Sequence, residues 1–180
     1  MAEDSLDKLT FGTDGWRGII GFDFNLSNLS RVVVAACQEL YYQYYKEVDS
    51  KKILIGFDRR FMANEFAKQI VPFVKGCGFE PILSKSYLPT PSCSFYAKEI
   101  RCLGALVITA SHNPYNWLGL KIKNFNGCSV DESFTREIEK RLMLGNEIHA
   151  IESTYEIVDI KKFTLIKLNL SLILILFQGR

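Results

Sequence analysis

The chain has 180 residues, the size of one ordinary domain. Hydrophobic residues make up 48% of it, enough to build a core, which excludes global disorder. The formal charge is only +2, from 22 Lys and Arg against 20 Asp and Glu; no basic block is present, so no nucleic-acid partner is expected.

The first ten residues, MAEDSLDKLT, are polar and lack the basic start and apolar run of a signal peptide. Five cysteines without a CxxC pair argue against zinc and against a disulfide framework. The expectation is a reduced, cytoplasmic chain.

Residues 11–21, FGTDGWRGIIG, hold four glycines and read as a shaped loop. A helix follows over about 26–46, with Asn25 or Ser27 as N-cap and Leu29, Val32, Val33, Ala36, Leu40 and Tyr44 at helical spacing. KILIGF (52–57) suits a buried strand. A second helix spans roughly 64–76, but Pro72 falls inside it, where a proline costs about 3 kcal/mol, so a kink or early stop is expected. PILS (81–84) is a short strand, LPTP (88–91) a turn, and SCSFYAKEI a helix. GALVIT (104–109) is a buried strand, SHNPYNW a loop, GLKIKNF a strand, and residues 132–144 an amphipathic helix. Such alternation predicts a three-layer αβα domain with helices on both faces of a mixed, mainly parallel sheet.

The domain is expected over 1–160, followed by an atypical tail at 161–180. There Ile166, Leu168, Leu170, Leu172, Leu174 and Leu176 form an apolar face at period two, a strand pattern. Lys167, Asn169 and Ser171 interrupt the run too often for a membrane helix of about 20 apolar residues, so no membrane partner is expected.

The segment LVITASHNP (106–114) carries the chemistry. An apolar strand ends in Thr109, Ala110, Ser111, His112, Asn113 and Pro114, and the C-terminal edge of a strand is a usual ligand position in open α/β sheets. Ten residues after Ser111 stands Lys121, directed away from the face shared by Leu120 and Ile122. Phosphoryl transfer needs an oxygen to carry the group, cations to offset its charge and a group to handle a proton. Ser111 supplies the first, and Lys121, Arg17 and Arg60 supply cations. FGTDGWRG lacks the GxxxxGK[ST] pattern of a nucleotide phosphate loop, and no GxSxG elbow accompanies Ser111 and His112, which argues against a hydrolase.

FGTDGWRG (11–18), GFDRR (56–60), LPTPSCSF (88–95) and TASHNP (109–114) resemble, in order and spacing, the motifs of the α-D-phosphohexomutases. The Trp of the first motif and YEIVD (155–159) are similar to the bacterial phosphoglucomutase/phosphomannomutase branch. The resemblance covers about residues 9–160, the first domain of such an enzyme.

It implies that Ser111 carries a phosphate to and from a hexose phosphate, through a hexose 1,6-bisphosphate that also serves as activator. Lys121 would be a general acid/base, with Arg17 its companion. Arg60 matches the family's loop arginine, and Thr109, His112 and Asn113 would line the phosphoserine loop. Mg2+ would bind the Ser111 phosphate and three aspartates.

Two departures matter. Leu118 stands where Asn is common before the Gly-x-Lys of the family. The metal loop DGDxDR, the sugar loop GExSG and the phosphate loop RxSGTEP of later domains are absent, and only Asp131 and Asp159 follow Ser111. The expectation is therefore a mutase domain that normally packs against further domains and is inactive alone. The alternative is a truncated remnant or a non-catalytic sugar-phosphate-binding module.

Overall fold

A computed structural model describes residues 9–12, 15–145 and 149–167. The elements run β1 (Trp16–Ile19), α1 (Leu26–Val48), β2 (Lys52–Phe57), α2 (Ala63–Gln69), α3 (Val71–Gly76), β3 (Glu80–Ser84), α4 (Thr90–Glu99), β4 (Gly104–Ile108), β5 (Trp117–Asn124), α5 (Glu132–Leu144) and β6 (Glu156–Val158). The strands form one sheet in the order β1-β5-β4-β2-β3-β6. β4, β2, β3 and β6 are mutually parallel, while β5 runs antiparallel to both β4 and β1.

Strand alternation sorts the apolar side chains into two layers. Ile53, Ile55 and Phe57 of β2, Leu106 and Ile108 of β4, and Leu118, Leu120 and Ile122 of β5 pack with α1, α2, α3 and α5. Leu54, Ala105 and Val107 face the other way, against Cys93 and Ala97 of α4. This is the three-layer αβα arrangement with a mixed, mainly parallel sheet that the alternation of elements predicts.

The start of α1 is as expected. Asn25 caps α1, its side chain accepting from the Asn28 N–H at 2.9 Å. Glu39, the buried charge of α1, meets the Arg141 guanidinium of α5 at 2.7 Å and accepts from Gln43 Nε2 at 2.7 Å, so its burial is compensated.

Pro72 resolves as a break. The chain passes through Ile70, which ends α2 and begins α3, and Pro72 falls in the first turn of α3, where its missing N–H leaves no bond unmade. Thr90 and Pro91, expected in a turn, already belong to α4.

Three features differ from the sequence expectation. Part of the glycine-rich stretch, Trp16–Ile19, is a strand, held by pairing with β5 from Trp16↔Leu120 to Ile19↔Trp117. β6 extends the sheet past β3. Residues 160–167 are helical rather than extended. Asp159 caps that helix, accepting from Lys162 N at 3.1 Å, and Phe163 meets the Tyr96 ring edge-on at 4.8 Å. With Ile160 buried beside α4, the spacing is helical, and Ile166 begins its apolar alternation inside this helix. Residues 168–180, the rest of the expected strand, lie outside the described residues. Among the described residues, no helix is long and apolar enough to cross a membrane.

Asp131 caps α5, its carboxylate accepting from Ser133 Oγ at 2.6 Å and from Phe134 N at 2.9 Å. These bonds, the Ser133 hydroxyl first, hold its carboxyl below the usual carboxylate range. A depressed pKa stabilises the fold above the unfolded pKa, near 3.9, and that contribution fades as pH falls toward the folded value. Asp131→Ala is expected to cost about 1 kcal/mol at neutral pH. Urea titrations should show that difference shrinking below about pH 4.

Candidate active site

The strand order reverses at β2: the chain steps outward to β3, then returns past β2 to β4. The C-terminal ends of β2 and β4 therefore lie side by side at a switch point, where open α/β sheets bind ligands. β2 runs into Asp58, Arg59 and Arg60, and β4 into Thr109, Ala110 and Ser111. A cleft of about 760 Å³ opens there, lined by both segments together with Tyr87, Tyr115 and Lys161.

Ser111 is exposed and has φ +56°, a left-handed backbone that is uncommon for a residue with a side chain. Such conformations cost on the order of 1–3 kcal/mol and persist only where surrounding bonds enforce them. Two sets of bonds do so. The Ser111 N–H donates to Thr109 Oγ1 at 3.0 Å, and the buried Thr109 hydroxyl donates to Asp58 Oδ2 at 2.5 Å. Asp58 is itself fixed, its Oδ1 accepting from Arg60 N at 2.9 Å.

The second set comes from the Arg60 guanidinium. Its Nη2 donates to the carbonyls of Ser111 at 2.8 Å and Asn113 at 2.6 Å. Its Nη1 donates to those of Pro114 at 2.8 Å and Trp117 at 3.1 Å. The Arg60 fork thus points inward onto the loop, and the Thr109 hydroxyl is committed to Asp58 and Ser111.

Arg17 enters from β1 and donates through Nη1 to Asn113 Oδ1 at 3.0 Å. Its approach depends on Gly119, where a Cβ would lie 2.6 Å from the Trp16 carbonyl, 2.8 Å from Arg17 Cγ and 2.9 Å from the Thr109 carbonyl. Leu118, the departure from the family pattern, is buried in the main core and leaves this crossing intact.

Lys121 stands in β5 opposite Val107, 9% exposed, on the sheet face away from Leu120 and Ile122 as its alternation predicts. Gly15 lies against its backbone: a Cβ there would come within 3.1 Å of Lys121 Cα. Lys123 shares the direction of Lys121, but its Nζ donates to Ser129 Oγ at 2.6 Å. His112 is exposed at the loop tip. Thus Ser111, Asn113, Arg17, Arg60 and Thr109 form one bonded constellation. Lys121 sits two residues further along β5 than Gly119, and His112 faces outward.

Asp58, Arg59, Tyr87 and Lys161 are among the cleft residues to which the sequence assigns no role. Arg59 stacks on Tyr87, its Cζ 3.9 Å from the ring centroid, and its Nη2 donates to the Tyr87 hydroxyl. Lys161 Nζ lies 3.6 Å from the same centroid. Asp58 could have been found from its place at the end of a buried strand next to the serine strand. Lys161 could not, because the run containing it reads as extended.

The residues present do not fit a Mg2+ site of their own. No cluster of three or more His, Cys, Asp or Glu side chains suited to a metal occurs among the described residues. Asp58, the carboxylate lining the cleft, is engaged by Thr109 and the Arg60 backbone.

The clamp has a measurable signature. Arg60→Lys keeps the charge but loses the planar fork that reaches four carbonyls. Amide hydrogen exchange in 111–117 is expected to accelerate by tenfold or more, about 1.4 kcal/mol of lost protection, while β2 and β4 exchange as before.

Residues 8–147 match the family model described as phosphoglucomutase/phosphomannomutase, alpha/beta/alpha domain I. The chain is 33% identical over 138 residues to the phosphoglucosamine mutase of Finegoldia magna, spanning 77% of this chain and 29% of that protein. It is 31% identical over 160 residues to the phosphoglucomutase of Staphylococcus haemolyticus, spanning 88% of this chain and 29% of the other. Among solved structures, a phosphomannomutase candidate from Thermus thermophilus superposes with a TM-score of 0.75 at 32% identity, covering 84% of this chain and 33% of that one. The chain thus spans under a third of the length of these curated relatives. With the αβα sheet and the match to the domain model in agreement, the chain belongs to the phosphoglucomutase/phosphomannomutase family, in the region of its first domain.

Proposed function

We propose that this domain supplies the phosphate carrier of a phosphohexomutase, and that Ser111 is that carrier. The observation that supports it best is the held, left-handed Ser111, exposed at the switch point and tied through its loop to Arg60, Thr109 and Arg17. A nucleophile fixed on rigid strands is what phosphoryl transfer requires, since that reaction gains its rate mainly from positioning and charge stabilisation.

In the proposed cycle Ser111 Oγ begins phosphorylated. The bond from phosphorus to Ser111 Oγ breaks as one forms to a free hydroxyl oxygen of a hexose monophosphate, and that hydroxyl gives up its proton. Lys121 is assigned the transfer of that proton to the departing Ser111 Oγ, and Arg17 the stabilisation of charge on the transferring group. The resulting hexose bisphosphate returns its other phosphate to Ser111. Asn113 orients Arg17, Thr109 and Arg60 hold the loop, and His112 borders the outer side of the phosphate. Glucose and mannose phosphates are the proposed substrates. Mg2+ is part of the proposed holoenzyme through the Ser111 phosphate, with its carboxylate ligands outside these residues, and no step is derived through it.

Incubation with labelled glucose 1,6-bisphosphate followed by peptide mapping tests the carrier. Label is expected on Ser111, absent from Ser111→Ala, and slowed at least a hundredfold in Lys121→Ala, as for loss of a general acid/base. Label on another serine would overturn the assignment.

The 180 residues by themselves are expected to show negligible turnover, because they hold only part of the required contacts. A coupled assay with glucose 1-phosphate, Mg2+ and a trace of glucose 1,6-bisphosphate decides this. Turnover of about one per second, within the ordinary enzyme range, would show that these residues suffice.

A further inference from the structure

We propose that Arg59 and Lys161 form an anion subsite at the mouth of the Ser111 cleft, held on Tyr87, which takes the phosphate group of a phosphorylated sugar. The choice of ligand rests on the phosphosugar reading given above; the subsite itself stands on separate observations.

The cations of the cleft divide into two kinds. Arg60 directs both terminal nitrogens at loop carbonyls, and Arg17 is bonded to Asn113. Arg59 and Lys161 have no such engagement with the loop. Arg59 Cζ lies 3.9 Å and Lys161 Nζ 3.6 Å from one ring centroid, and both residues line the cleft with Ser111. Neither forms an ion pair with a carboxylate among the described residues. Asp58, the acidic group nearest in the cleft lining, is already bonded to Thr109 and the Arg60 backbone.

Two like charges gathered on one ring repel each other, and a bound anion relieves that repulsion. The ring's π electrons attract each cation, and the Tyr87 hydroxyl gives Arg59 a further contact. With both cations on the ring, charge is the feature the subsite offers to a ligand. Lys85, exposed in the adjoining hollow with Arg59 and Tyr87, adds positive potential from the β3 side. A phosphate monoester dianion suits two cations, one of them able to bond it in a bidentate manner. Lys161 reaches the cleft because Asp159 and buried Ile160 dock the helical segment 160–167 beside α4.

The test is calorimetric titration of the full chain with inorganic phosphate and with glucose 1,6-bisphosphate. It compares wild type, Arg59→Gln, Lys161→Gln and the remote charge control Lys46→Gln, after confirming equal melting temperatures. Each cleft variant is expected to weaken both ligands about tenfold and to flatten the salt dependence, while Lys46→Gln binds as wild type. Equal affinity in all four proteins, or no binding by wild type at millimolar ligand, would overturn the subsite. If phosphate binding depends on Arg59 and Lys161 while Ser111 accepts no label, the subsite stands and the carrier assignment falls. Label on Ser111 with unchanged affinity in both cleft variants would do the reverse.

Discussion

Four backbone carbonyls pointing at one place repel one another unless a cation sits among them, and Arg60 is that cation. Ser111, Asn113, Pro114 and Trp117 turn their oxygens onto a single guanidinium. Without it, the loop loses the bonds that hold Ser111 in a left-handed backbone. A lysine has the charge but not the geometry, because its donors radiate from one atom. The Asp58 carboxylate, 3.7 Å from Arg60 Nε, completes the arrangement by offsetting part of that charge and anchoring Thr109.

The clamp works because its two anchors do not move independently. Asp58 and Arg60 leave β2, and Thr109 leaves β4; these strands pair from Ile53↔Gly104 to Phe57↔Ile108, with both faces buried. Leu54, Val107 and Cys93 close one side, and Ile55, Leu106 and Ile108 the other. Burial pushes the Cys93 thiol up to about 12, so it is a neutral, inert part of that layer. Hydrophobic burial thus fixes the strand ends, the strand ends fix Asp58 and Arg60, and these fix a serine that local preferences alone would place elsewhere.

Strands and helices with internal periodicity were legible from sequence. KILIGF is β2 residue for residue, and the apolar spacing and Asn25 cap of α1 are as read. The elements missed were those whose cause is non-local. Trp16–Ile19 lies in a stretch with too many glycines to look like a strand and becomes one through β5. The 160–167 helix follows from Asp159 capping and from Ile160 and Phe163 meeting α4 residues, which overrides a period-two apolar run that begins only at Ile166. At the site, motif order pointed to the right segments. It did not disclose which arginine of Asp58-Arg59-Arg60 faces inward, because that depends on carbonyls 51 to 57 residues away.

Adjacent arginines therefore have opposite tasks. Arg60, with its side chain 15% exposed, satisfies carbonyls and builds the loop. Arg59, exposed, lies on Tyr87 facing the cleft. A guanidinium bonded to four carbonyls has little capacity left for a ligand, since its five N–H donors are nearly all in use. In the proposed subsite, the positive charge that an incoming anion meets comes instead from Arg59 and Lys161, which line the same cleft. On the proposed reading, a substitution at either arginine alone would impair phosphate handling for different reasons: at Arg60 by loosening the serine, at Arg59 by removing the attraction. Loop amide exchange responds to the first and anion affinity to the second, so two measurements on the same pair of variants separate construction of the site from recognition by it.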